Sequence, residues 1–199
     1  MTKQKTDNDN LSKKLALRML AVDATLARGE REVRVLDCFA GDGTLWWLLK
    51  KEYGPRIKHV GIDEAWKRGA QYLGDNRRYL RFLPIGDYNL IDVDAYGVPY
   101  QQMKIIAGRQ YRGVVVGTFI QCVYGGLPYA MLRELGYSRR MVRKITKLFF
   151  RNGWLKWSAY LRLLGYDEVQ VYHCANKHYF SCFPGSGNCG AGAASCGLG

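Results

Sequence analysis

Hydrophobic and polar positions follow two periods along this chain. From Leu11 the apolar residues Leu15, Met19, Val22 and Leu26 recur at steps of three and four, which predicts an amphipathic helix ended by Gly29. Val33, Val35 and Leu36 predict a short strand that breaks into Asp37-Cys38-Phe39-Ala40-Gly41-Asp42-Gly43-Thr44, with a helical run, Leu45–Lys51, directly behind it. Further strands are expected at His59–Ile62, Ala70–Leu73, Asn89–Val93 and Gly113–Ile120, with short helices at Arg77–Leu83 and 100–107. Gly113–Ile120 is almost wholly apolar, as a strand covered on both faces requires. A helical, basic stretch fills 127–164. Two β-rich runs, Glu168–Cys174 and His178–Phe183, then meet at Ala175-Asn176-Lys177, which resembles a hairpin turn. The pattern predicts an α/β fold: a single-domain, doubly wound, mostly parallel sheet with an antiparallel last strand. Residues 1–10 read as a loose polar arm, 11–184 as the domain, and 185–199, with six glycines and no charge, as a flexible tail.

Composition narrows the class. No run approaches 18 consecutive apolar residues, so no membrane span is expected. The opening MTKQKTDNDNLSKK is charged where an export signal needs an apolar core. The cysteines Cys38, Cys122, Cys174, Cys182, Cys189 and Cys196 show no CxxC spacing, which points to free thiols in a reducing, cytoplasmic setting and not to a zinc site. Charge changes the picture more. The chain carries 30 basic and 17 acidic residues, and the half from 101 onward holds 13 of the former against 3 of the latter. Such a field draws polyanions, nucleic acid first. Arg139, Arg140, Arg143, Lys144 and Lys147 are the candidate phosphate contacts.

Three places carry candidate chemistry. Glycines at Gly41-x-Gly43 let a ligand approach the backbone after the first strand, but Leu45 and Trp46 stand where a dinucleotide fingerprint needs its third glycine. A small nucleoside-bearing ligand suits the loop better than a pyrophosphate. Asp63, about twenty residues further on, stands where a carboxylate can accept both ribose hydroxyls, and Glu64 is adjacent. Asp92-x-Asp94-Ala95-Tyr96-Gly97-Val98-Pro99 closes the fourth strand. It places Asp94 at a carboxyl end and Tyr96 where it can stack on a planar substrate. With no histidine or third carboxylate close in sequence, no metal site is expected there.

These segments resemble the class I S-adenosylmethionine-dependent methyltransferases: VLDCFAGDGT at 35–44, VGIDEAW at 60–66, YLGDN at 72–76 and NLIDVDAYGVP at 89–99 match their four motifs in order. The last is similar to the D-P-[FY]-G-x-P loop of transfer-RNA guanine amino-methyltransferases, with Ala95 in place of Pro. The resemblance implies S-adenosylmethionine as cofactor, with Asp37 and Gly41 at its methionine part, Asp63 at its ribose, and Asp75 or Asn76 at its adenine. Phe39 and Gly43 belong to the same binding set. It also implies Asp94 as catalytic carboxylate, Tyr96 as base-stacking aromatic, and an exocyclic amine of a nucleic-acid base as acceptor, RNA being favoured over DNA. Two alternatives stay open. One is ring-carbon methylation with Cys122 as nucleophile; the other is a non-catalytic nucleic-acid-binding member. No appended recognition domain is expected, so substrate recognition is expected to rest on a partner subunit or on the basic helices alone.

Overall fold

A computed structural model describes residues 10–121, 126–174 and 177–185. In chain order the elements are α1 (Leu11–Ala27), β1 (Val33–Asp37), α2 (Thr44–Tyr53), β2 (Ile57–Asp63), β3 (Tyr72–Leu73), α3 (Asn76–Phe82), β4 (Leu90–Val93), α4 (Tyr100–Gly108), β5 (Val114–Ile120), α5 (Tyr129–Glu134), α6 (Arg139–Lys144), α7 (Gly153–Leu163), β6 (Tyr166–Cys174) and β7 (Lys177–Pro184). The seven strands form one sheet in the order β3-β2-β1-β4-β5-β7-β6. β1 to β5 pair in parallel, whereas β7 runs antiparallel to both β5 and β6. The expected architecture is therefore the observed one.

Alternation along the strands sorts the core into two layers. Val33, Val35, Ile57, Leu90, Val114 and Val116 face α1 and α2, packing against Ala21, Val22, Trp46 and Leu49. Leu36, Ile62, Ile91, Val93, Val115 and Phe119 face α3 to α7, packing against Leu80, Met103, Ile106, Met131, Trp157 and Leu161. β5 is buried at every position, as its apolar run requires.

Four expectations need correction. The buried stripe of α1 is Leu17, Arg18, Ala21, Val22 and Thr25, so Leu15, Met19 and Leu26 lie at its margin. The strand expected at 70–73 shrinks to Tyr72–Leu73, because Gln71 is spent on β2: its backbone N–H donates to Gly61 O and its side chain accepts from Gly61 N–H. The helix behind the glycine loop is longer than Leu45–Lys51, starting at Thr44 and ending at Tyr53. The helical stretch 127–164 is three helices. Gly136 at φ +88 ends the first, Ser138 caps the second by accepting from Met141 N–H, and Asn152 at φ +53 turns the chain into the third.

The crossover from β2 to β3 is the unusual connection. Parallel neighbours ordinarily need a dozen or more residues between them, usually with a helix. Here residues 64–71 make the crossing with no helix. Gly69 is pressed onto the glycine loop instead, its N–H donating to Gly41 O at 3.1 Å. A Cβ at Gly69 would lie 2.5 Å from Gly43 N, and one at Gly61 would lie 2.1 Å from Gly69 O. The close approach needs glycine on both sides.

Candidate functional site

β1 ends inside the sheet, and its carboxylate is used locally. Asp37 is buried; one oxygen accepts from Phe39 N–H at 3.0 Å and the other lies 3.3 Å from His59 Nε2. The chain then turns through Gly41 (φ +50) and Gly43 (φ +71), a left-handed geometry suited to glycine, and α2 begins at once. Asp63, at the end of β2, braces this loop. Its Oδ2 accepts from Gly41 N–H and its Oδ1 from Ala65 N–H, both at 2.9 Å.

A cleft of about 420 Å³ opens over the carboxyl ends of β1, β2 and β4. Its walls include Cys38, Phe39, Asp63, Glu64, Asn76, Ala95, Tyr96, Val98 and Gln102. This is where an open α/β sheet accepts ligands. Of the residues singled out from sequence, the cleft brings together Phe39, Asp63, Asn76 and Tyr96. Tyr96 is 71% exposed, on a loop stitched to the next strand by Ile120 N–H donating to Gly97 O at 2.8 Å. Asn76 is buried and bridges two elements: its Nδ2 donates to Cys38 O at 2.7 Å and its Oδ1 accepts from Gln102 Nε2 at 2.9 Å. Asp75 stands apart as the cap of α3, accepting from Arg77 N–H and paired with the Arg77 guanidinium at 2.7 Å. Those bonds from Arg77 hold its carboxyl below the usual range. Gly43 is backed by Gly69 and faces a separate hollow beside α2.

The two carboxylates of the fourth strand turn the other way, toward α1. Asp92 is buried and accepts from Arg18 Nε at 2.7 Å, Arg18 Nη2 at 2.8 Å and Trp46 Nε1 at 3.0 Å. Arg18 is itself wholly buried. Asp94, just past the strand, is bound by Lys14 Nζ at 2.8 Å and by the Thr118 hydroxyl, with Arg18 Nη2 at 3.5 Å. Burial, with Asp37 and Asp94 nearby, pushes the Asp92 carboxyl up to about 6 against the pull of Arg18. Burial also opposes ionisation of Asp94, yet Arg18 and Lys14 outweigh it and hold that carboxyl below its ordinary value.

Sequence reasoning missed Lys14, Arg18, Trp46 and Thr118. A signal was there: Arg18 interrupts an apolar stripe, and an interior guanidinium requires carboxylates to meet it. Gln102 and Glu64 complete the cleft, and only Glu64, beside Asp63, was open to view. Cys38 lines the cleft from a buried position that raises its thiol well above the ordinary range. Cys122 lies outside the described residues.

The five basic residues singled out between 139 and 147 are all exposed. α6 supplies Arg139, Arg140, Arg143 and Lys144 around the buried Val142, and the following 3₁₀ turn supplies Lys147. None has a carboxylate within ion-pair distance among the described residues.

No family model matches the sequence, and no curated protein matches it. Solved structures do match the fold. The plantazolicin methyltransferase BpumL, in complex with SAH, superimposes with a TM-score of 0.54 at 11% identity, over 89% of this chain and 87% of that one. A SAM-dependent methyltransferase from Archaeoglobus fulgidus gives 0.46 at 12% identity, over 85% and 94% of the two chains. A Nostoc punctiforme protein, provisionally assigned O-methyltransferase activity, gives 0.45 at 12% identity; this chain spans 56% of its length. The BpumL likeness establishes a methyltransferase-type Rossmann-like fold.

Proposed function

We propose that this protein transfers the methyl group of S-adenosylmethionine to an exocyclic amine of a nucleic-acid base, with RNA guanine as the first choice. The observation that carries the reading is the cleft itself. Residues from all four resembling segments, Phe39, Asp63, Asn76 and Tyr96, meet there over the carboxyl ends of β1, β2 and β4.

The residues present fit the cofactor. Phe39, Ala95 and Val98 offer apolar contact for an adenosine body. Asp63 and Glu64 offer carboxylates to ribose hydroxyls; Asp63 spends two acceptor positions on backbone N–H groups and a carboxylate has about four. S-adenosylmethionine, when bound, supplies an electrophilic methyl carbon on a sulfonium. The chain's part is to hold the amine. An exocyclic nitrogen is a poor nucleophile because its lone pair is delocalised into the ring. The Ala95 carbonyl would accept a hydrogen bond from the amine N–H and stabilise the positive charge that grows on nitrogen, the proton released on transfer leaving to solvent, while Tyr96 stacks on the extruded base. Asp94, which faces α1, would steady the Ala95–Tyr96 loop from behind. Lys14, Arg18 and Thr118 keep Asp94 ionised and fixed. The exposed cations of α6 would hold phosphates.

The same ion pairs favour a second reading, a member of the fold that binds nucleic acid without transferring a methyl group. One experiment separates the two. Incubate the protein with radiolabelled cofactor and either total RNA or unmethylated DNA, then identify the labelled nucleoside. Label is expected on the guanine exocyclic nitrogen, and Asp94→Ala should lower transfer sharply, through the loop it steadies, while calorimetry still shows cofactor binding. Asp63→Ala should weaken that binding by about 1–3 kcal/mol. Intact cofactor binding with no label on any nucleic acid would select the non-catalytic reading.

A further inference from the structure

The helix-free crossover between β2 and β3 leaves part of the α1–α2 face of the sheet uncovered. A hollow of about 290 Å³ remains there, lined by Thr44, Trp47, Lys50, His59, Arg68 and Gln71, among others. The crossover thus lies between two openings. Its first residue, Glu64, lines the candidate cofactor cleft, and Arg68 and Gly69 line this hollow.

Two tryptophans mark the place. Trp47 on α2 is 49% exposed and Trp66 on the crossover 76% exposed. Tryptophan is on average a well-buried residue, so two exposed indoles on one edge require a reason. Cations accompany them on the same two segments. Lys50, Lys51, Lys67 and Arg68 are all exposed, and none has a carboxylate within ion-pair distance among the described residues. Lys51 Nζ sits 3.7 Å from the Trp47 ring centroid and covers one face of that ring, so a base would stack on the other. Asp42, on the rim, is the acidic residue lining the hollow.

We infer that this edge is a stacking track for single-stranded RNA, with bases on Trp47 and Trp66 and phosphates on Lys50, Lys67 and Arg68. Flat aromatic faces interleaved with unpaired cations are what a strand with unstacked bases binds, and a duplex has no free base face to offer them. An acidic protein surface would use the cations but not two exposed indole faces. The track is distinct from α6 and lies beside the cleft, so it would guide a strand toward the base-accepting end of the sheet. It rests on the nucleic-acid part of the proposed function.

The test uses a fluorescein-labelled RNA strand of about 12 nucleotides, its DNA counterpart and the RNA duplex, read by anisotropy and by tryptophan quenching. Trp47→Ala and Trp66→Ala should each weaken binding of the RNA strand roughly tenfold and leave duplex binding unchanged. Both residues are exposed, and circular dichroism checks that the variants remain folded. The inference is overturned if both variants bind the strand as the parent does, if strand and duplex bind equally, or if the DNA strand binds more tightly than the RNA. Cofactor calorimetry on the same variants keeps the outcomes apart. Trp-dependent strand binding without label transfer would sink the methyl-transfer reading alone, and label transfer with Trp-independent binding would sink the track alone.

Discussion

Burying a guanidinium costs several kcal/mol unless its charge and its donors are both met. Arg18 meets the condition through a two-point contact with Asp92 and the nearby Asp94. The arrangement has a pH signature. Burial pushes the Asp92 carboxyl up to about 6 in the folded chain, from about 3.9 when unfolded. The native state therefore holds the extra proton between those values, and this group's contribution to stability falls as pH rises through that window. Asp94, shifted the other way, contributes stability above its unfolded value and loses it as pH falls through its lower folded one. Removing Arg18 would raise the native Asp92 value further, so the loss would continue beyond pH 6. Arg18→Met is expected to destabilise by about 3–5 kcal/mol at pH 7.5, and by clearly less at pH 5, where Asp92 can be neutral without its partner. Urea unfolding at the two pH values measures this; an equal penalty at both would show that the ion pair is not its source.

The element that most shapes the site is the shortest crossover. Gly69→Ala would force a methyl group to 2.5 Å from Gly43 N and 2.9 Å from Gly41 O, neighbours that are backbone and cannot swing aside. A loss of about 1–3 kcal/mol in stability is expected, with weaker cofactor binding as the glycine loop is pushed outward. Gly108→Ala is the control: its added Cβ meets nothing within 4 Å, and its stability should stay within about 0.5 kcal/mol of the parent. Thermal melts and calorimetry on both variants read the contrast. The elements show how far the sequence could be read. β5 was legible because a near-continuous apolar run admits few other structures, β1 and β4 because short β-branched and apolar runs end in acidic loops, and the Gly41-x-Gly43 turn because glycine marks left-handed backbone. The cleft residues at strand ends, Phe39, Asp63 and Tyr96, followed from that frame. The α1 face was misplaced because hydrophobic periodicity cannot count an arginine as interior. The direction of Asp94 depends on Lys14 and Thr118, residues far from it in sequence, and no local pattern encodes that pairing.

At the scale of the whole molecule, charge is asymmetric and exposed. The sequence carries a formal net charge of +13, and α6 displays four cations without carboxylate partners among the described residues. If these contact phosphates, affinity for nucleic acid falls steeply with salt, and Arg139→Gln with Arg140→Gln should lower the slope by nearly two units on duplex DNA and by less on a single strand. Anisotropy titrations from about 50 to 200 mM salt decide it, an unchanged slope placing the contact elsewhere. The docking of α1 bears on how the molecule assembles. Arg18 lies 74 residues from Asp92, and Lys14 lies 80 from Asp94. The apolar side chains of α1 can pack on β1 and α2, but Arg18 has no carboxylate to meet until β4 is in place. The charge-meeting part of α1 docking thus waits on contacts distant in sequence, and until they form Asp92 and Asp94 repel each other without compensation.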